Sequence, residues 1–226
     1  GLTPADFTAY KSQRYRWAFG AMQIMKARFG WMTRKDSPLS RGQKFHFLTG
    51  WFSWFADALH LVFTMMAIAW TIGMVGWPKY FSLPMELFLI PIIGFFVSKA
   101  VFGIVLYRKR VPCSWHDTIM ASIASMGLSH AIARGIFLGL WKKKGEFVRT
   151  AKSRRLSSKP SAFASVREEL LMFLALLACI FGMINSNAIT YTEGKLWIGI
   201  LAAQAIPYAS ALIGAWVAHQ SNEAMA

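Results

Sequence analysis

The sequence predicts an all-α integral membrane protein with about four transmembrane helices and two amphipathic interfacial helices. Three observations carry that expectation. The 226 residues are 55% hydrophobic and 15% charged, whereas a soluble domain carries about 25% charge. The apolar residues gather into runs of roughly 20, the length that crosses a bilayer core. The net charge of +15 comes from basic residues set between those runs. That is the distribution the positive-inside rule describes, and it argues against a nucleic-acid-binding face.

Residues 1–46 are expected to form an interfacial helix and a connector. Thr3-Pro4-Ala5-Asp6 is a helix start, with a hydroxyl cap, a proline at the first helical position and an acid at the third. Over about 4–29 the pattern is amphipathic. Trp17, Gly20, Ala21 and Ile24 share a face, flanked by Lys11, Lys26 and Arg28, as in helices that lie in the plane of a membrane surface. The chain opens on Gly rather than Met, and Gly1 to Lys11 has no apolar signal core, so it is expected to continue from a longer protein.

Residues 47–113 carry two predicted spans. The first runs from Trp51 to about Val75, with Trp51, Trp54 and Trp77 placed for the aromatic belts. The second runs from about Leu83 to Tyr107 and closes on Arg108-Lys109-Arg110. Residues 169–226 hold two more, at about Leu170–Ile184 and Leu196–Ala218.

Between these pairs, residues 114–141 are long enough to span but contain Ser122, Ser125, Ser129, His130 and Arg134. Charge parity assigns them to the interface. Arg108–Arg110 precede the segment, and residues 142–159 follow it with eight basic residues against the single acid Glu146. A span here would put these clusters on opposite sides of the membrane; a helix lying flat keeps both cytoplasmic. The outward loops, about 77–82 and 185–195, then hold only Lys79 and Lys195 as basic residues. Residues 142–168 form a basic cytoplasmic loop. Cys113 and Cys179 have no motif spacing, so neither a disulfide framework nor a metal site is assigned.

Chemistry concentrates in two places. Gln13-Arg14-Tyr15-Arg16-Trp17 puts Gln13, Arg16 and Trp17 at i, i+3 and i+4 of a helix. Arg16 offers a planar guanidinium to a diphosphate. Trp17 offers a flat apolar face and an N–H to a sugar. Gln13 offers a donor to phosphate or sugar oxygens. Downstream, Phe147-Val148-Arg149-Thr150-Ala151-Lys152 places Phe147, Thr150 and Lys152 at spacings of three and two, in the basic loop that follows a Trp-containing helix and Lys144-Gly145.

The first motif resembles the Q-x-x-R-W signature of processive family-2 glycosyltransferases, the group of the bacterial cellulose, curdlan and hyaluronan synthases. The second is similar to the F-x-V-T-x-K gating-loop motif of the cellulose synthases, departing from it in having Arg149 before the threonine and no Gly-Gly after the lysine. The resemblance implies the channel-forming carboxy-terminal part of a membrane β-glucan synthase in the bacterial inner membrane. It implies a nucleotide-sugar donor, UDP-glucose, and a growing glucan chain as partners, besides membrane lipids and with no nucleic acid. Gln13, Arg16 and Trp17 would contact acceptor and nucleotide diphosphate; Phe147, Thr150 and Lys152 would belong to a gating loop over the donor. The enzyme as a whole would be an inverting hexosyltransferase using Mg²⁺. Its Asp-x-Asp and Glu-Asp elements would lie upstream of Gly1, since none of Asp6, Asp36, Asp57 and Asp117 has that context. No metal ligand or catalytic residue is therefore expected in residues 1–226. The sugar and the linkage, β-1,3 or β-1,4, stay open. A transporter or channel subunit without enzymatic activity and a non-processive membrane glycosyltransferase are the alternative readings. The first of these predicts discontinuous helices and internal repeats, and the two halves carry no convincing repeat.

Three further polar places stand out. Asp57 and His60, one turn apart in the first span, either contact sugar hydroxyls or pair with each other near the interface. Lys99 is expected to snorkel to the cytoplasmic end of the second span. His130 and Arg134 are expected on a solvent- or headgroup-facing side.

Overall fold

The computed structural model describes residues 7–142, 162–186 and 192–223, so the Thr3–Asp6 helix start and the 147–152 motif lie outside the described residues. All regular structure within them is helical. In chain order the helices are α1 (Phe7–Thr33), α2 (Arg41–Gly76), α3 (Met85–Phe96), a π-helical turn (Val97–Val101), α4 (Phe102–Arg110), α5 (Trp115–Gly127), α6 (Ser129–Trp141), a 3₁₀ turn (Ala162–Val166), α7 (Arg167–Asn185) and α8 (Thr192–Glu223).

Five stretches are long and apolar enough to cross a membrane: Arg41–Gly76, Leu87–Arg110, Trp115–Trp141, Ala164–Asn185 and Thr192–Gln220. The chain is thus an all-α, multi-pass membrane type of protein. Four of the five coincide with the spans expected from the apolar runs. The fifth is the 114–141 stretch, which is two helices rather than the expected one. Residues Trp115–Gly127 and Ser129–Trp141 meet at Leu128, and α5 opens on a capping box in which Ser114 Oγ accepts from Asp117 N–H at 3.0 Å while Asp117 Oδ2 accepts from Ser114 N–H.

The structure also revises two boundaries. Helix α2 starts ten residues before Trp51, because Ser40 and Gln43 form a reciprocal cap: Ser40 N–H donates to Gln43 Oε1 at 2.9 Å, and Gln43 N–H to Ser40 Oγ at 3.2 Å. At 36 residues and 1.5 Å per residue it is about 54 Å long, more than the roughly 30 Å of a hydrocarbon core. The expected second span is likewise not one uniform helix. Pro91 sits inside α3, and the π-helical turn separates α3 from α4.

The chain divides into two compact units: residues 1–59 with 129–158, and residues 60–128 with 159–226. In the first, α1 and α6 pack in parallel with their backbones almost touching. A Cβ built on Gly135 would lie 2.6 Å from the Tyr15 carbonyl oxygen and 3.0 Å from Ala18 Cβ. One on Gly139 would lie 2.8 Å from both Met22 Cβ and the Phe19 carbonyl oxygen. Gly135 and Gly139 are a small-xxx-small pair of the type that lets helices approach closely. Ala18, Met22, Ala133 and Ile136 are completely buried beside them. The join ends on α1 side chains that satisfy the terminal carbonyls of α6. Gln23 Nε2 donates to Gly139 O at 2.6 Å and Lys142 O at 2.8 Å, and Lys26 Nζ to Leu140 O at 2.7 Å and Lys142 O at 3.0 Å. Those carbonyls have no partner within their own helix, and a cation also complements the negative end of its dipole.

The second unit is built around α8. Its buried ridge of Trp197, Leu201, Gln204, Tyr208, Ala211 and Ala215 recurs at three and four residues. Trp197 stands edge-on to Phe88 of α3, 5.0 Å between ring centroids, and donates its indole N–H to Thr71 Oγ1 of α2 at 3.0 Å. Farther along, Gly127 of α5 lies so close that a Cβ there would fall 3.0 Å from Ala211 Cα. Leu176, Cys179 and Met183 of α7 complete this core with Ala67 and Met74 of α2. The hydroxyls of Thr64 and Thr71 donate to the carbonyls of His60 and Ala67 one turn back, which allows polar side chains inside an apolar bundle. Residues 77–84 fold back over the end of α2, where Trp70 donates to Ser82 O at 2.7 Å and Phe81 covers Gly73.

Candidate functional site

Helix α1 carries the Q-x-x-R-W residues and is divided by its packing. The ridge Tyr15, Ala18, Phe19 and Met22 goes into α6. The ridge expected to be the apolar one, Trp17 to Ile24, is the outward one: Trp17 is 51% exposed and Ile24 52%. Helical spacing puts Gln13 and Trp17 one above the other on this outward side. Arg16 lies about 100° round from Trp17, toward the flank of the α6 contact. Gln13 and Arg16 are both half-buried. The three side chains thus share one stretch of helix about a turn long, with the indole outermost.

Arg14, to which the sequence reading gave no role, is part of the same surface. Its guanidinium carbon lies 4.9 Å from the centre of the Trp17 ring and 5.1 Å from that of Tyr10, and Nη2 donates to Tyr10 Oη at 2.8 Å. Tyr10, Arg14 and Trp17 follow at i, i+4 and i+7, so the stack runs up one side of the helix. The signal was present in the sequence as an arginine with aromatic residues four before and three after it. Gln23 and Lys26 were missed for a different reason: their acceptors are carbonyls 113 to 119 residues away.

Chemically, the surface offers a flat aromatic face, the Arg16 guanidinium and the Gln13 side-chain amide within about a turn, while the Arg14 guanidinium is taken up by Tyr10 and Trp17. It can stack a sugar ring and hold an anion such as a diphosphate at its edge. Phe147, Thr150 and Lys152, expected to join it from the loop after α6, lie outside the described residues. Among the described residues no group of three or more His, Cys, Asp or Glu side chains could hold a metal ion.

The remaining polar candidates lie elsewhere. Asp57 and His60 are both buried, and the His60 ring packs between Phe95, 4.2 Å away and roughly parallel, and Tyr208 at 5.8 Å. The His60 ring thus packs among aromatic residues of the second unit. Lys99 is half-buried in the π-helical turn. Arg134 is exposed, as expected, and His130 is half-buried.

Comparison with family models, with curated proteins and with solved structures gives no match.

Proposed function

We propose that this chain is the membrane region of a processive family-2 glycosyltransferase that builds a β-glucan from a nucleotide sugar, UDP-glucose, in the bacterial inner membrane. The observation that carries the reading is the Gln13–Trp17 motif on α1, with Trp17 held outward on a helix whose other side is fixed to α6. In this reading Trp17 stacks the terminal sugar of the acceptor, Arg16 bonds the diphosphate and Gln13 bonds sugar or phosphate oxygens. Helix α1 and the α5–α6 pair lie at the cytoplasmic surface, and the other four apolar stretches cross the membrane. An acceptor hydroxyl attacks the anomeric carbon in line. Its oxygen–carbon bond forms as the carbon–phosphate-oxygen bond breaks, its proton passes to a carboxylate base, and the nucleoside diphosphate leaves. In this reading none of the carboxylates of residues 1–226 is that base. The membrane helices then conduct the polymer outward.

The test is Trp17→Ala in the full-length protein. Losing the platform that positions the acceptor should lower incorporation of labelled glucose from UDP-glucose by about a hundredfold, with expression and membrane insertion unchanged. Near-normal glucan yield from that variant would reduce Trp17 to a membrane-belt aromatic.

A further inference from the structure

The Tyr10–Arg14–Trp17 stack has a consequence for the candidate site. An exposed tryptophan on a helix can adopt more than one rotamer about χ1 and χ2, and a stacking platform is useful only in one of them. Arg14 removes that freedom from the side. Its guanidinium sits over the Trp17 ring at 4.9 Å and is itself fixed at two points, by the Tyr10 ring at 5.1 Å and by the bond to Tyr10 Oη at 2.8 Å. One face of the indole is covered by the arginine. The side chain is nevertheless 51% exposed, so the uncovered surface faces outward.

We propose that Arg14 is a positioning residue that holds the Trp17 indole in one rotamer and leaves a single face open for an acceptor sugar; the sugar's part in this rests on the function proposed above. A lysine cannot replace it. An ammonium keeps the charge but has no flat face to lie on the indole and only a point contact with Tyr10. A cation–π contact at a half-exposed position biases the rotamer about two- to fivefold. Loss of Arg14 should therefore raise the KM for acceptor by about that factor and leave the KM for donor nucleotide sugar unchanged, because Arg14 is not assigned to the diphosphate.

The experiment uses the full-length protein in nanodiscs with 5-fluorotryptophan incorporated, the Trp17 fluorine resonance being identified by its loss in Trp17→Phe. Arg14→Lys and Arg14→Met should shift and broaden that resonance; Tyr10→Phe, which keeps the ring but loses the hydroxyl, should give a smaller change in the same direction. In parallel, glucose transfer from UDP-glucose to an added β-gluco-oligosaccharide should show a raised acceptor KM in both Arg14 variants and an unchanged donor KM. A Trp17 resonance indifferent to Arg14→Lys overturns the proposal. So does a shifted resonance with an unchanged acceptor KM, provided Trp17→Ala is inactive. If Trp17→Ala proves fully active, the sugar-binding reading fails by itself, and the fluorine spectrum alone decides whether Arg14 orients the indole.

Discussion

Replacing Gly135 with alanine adds a single methyl group, and the structure sets what it costs. The new Cβ would sit 2.6 Å from the Tyr15 carbonyl oxygen, 3.0 Å from Ala18 Cβ and 3.2 Å from the Phe19 nitrogen. Two of these three are backbone atoms, so no side-chain rotation relieves the clash. The helices must move apart by roughly 0.5–1 Å, which forfeits about a quarter to a half of each contact's dispersion energy along the seam. Overpacking of this kind costs about 1–3 kcal/mol, and a backbone-limited case belongs at the upper end. Against it stands the helix-propensity gain of alanine over glycine, about 1 kcal/mol. The net expectation is a loss of about 1–2 kcal/mol, or a melting temperature lower by about 2–8 °C for a chain of this size. Gly20 supplies the control. It lies inside α1 with nothing within 4 Å of a built Cβ, so Gly20→Ala collects the propensity gain alone and should raise stability by about 0.5–1 kcal/mol. Thermal unfolding of the purified protein in one detergent, followed by helical circular dichroism, reads both variants. Opposite signs support a backbone-to-backbone seam between α1 and α6; a Gly135→Ala protein as stable as Gly20→Ala would refute it.

Two further expectations can be checked separately. Single cysteines at positions 16, 109 and 150, with Cys113 and Cys179 replaced, should react with a membrane-impermeant thiol reagent only after the cells are opened; labelling of position 150 from outside would mean that residues 114–141 span the membrane. The Gln204 side chain is completely buried in α8, and its two amide atoms have no hydrogen-bond partner among the described residues, so Gln204→Leu, similar in shape and free of that desolvation cost, should stabilise the protein by about 1–3 kcal/mol in the same unfolding assay; a lower melting temperature would show that the amide is bonded.

The spans were legible because membrane helices are written in runs of apolar residues, and Trp51–Val75, Leu170–Ile184 and Leu196–Ala218 fall within α2, α7 and α8. What escaped the sequence reading depended on short polar signals or distant partners. The first turns of α2 are polar and exposed, and only the Ser40–Gln43 spacing betrays their start. The break at Leu128 falls beside Gly127, whose site in the core leaves no room for a side chain against Ala211. At the candidate site, Gln13, Arg16 and Trp17 were found by their motif and do share one stretch of helix. Arg14 was passed over because its partners lie four residues back and three ahead, outside the motif's fixed letters. The outward direction of Trp17 could not be read either, since it is set by Gly135 and Gly139, more than a hundred residues later in the chain.

That distance bears on how the protein is made. Lys26 and Gln23 leave the ribosome long before the carbonyls of Gly139, Leu140 and Lys142 that they will bond. Until α6 has been synthesised, the ridge of Ala18, Phe19 and Met22 lacks the surface against which it is buried in the finished fold. Completing α6 and closing the seam are then a single late event, made across an intervening stretch that holds α2 to α5. Closing such a long loop carries an entropic cost that rises only slowly with its length, but contacts this remote in sequence form slowly. The helix that bears Trp17 thus waits more than a hundred residues for the glycine pair that fixes its orientation.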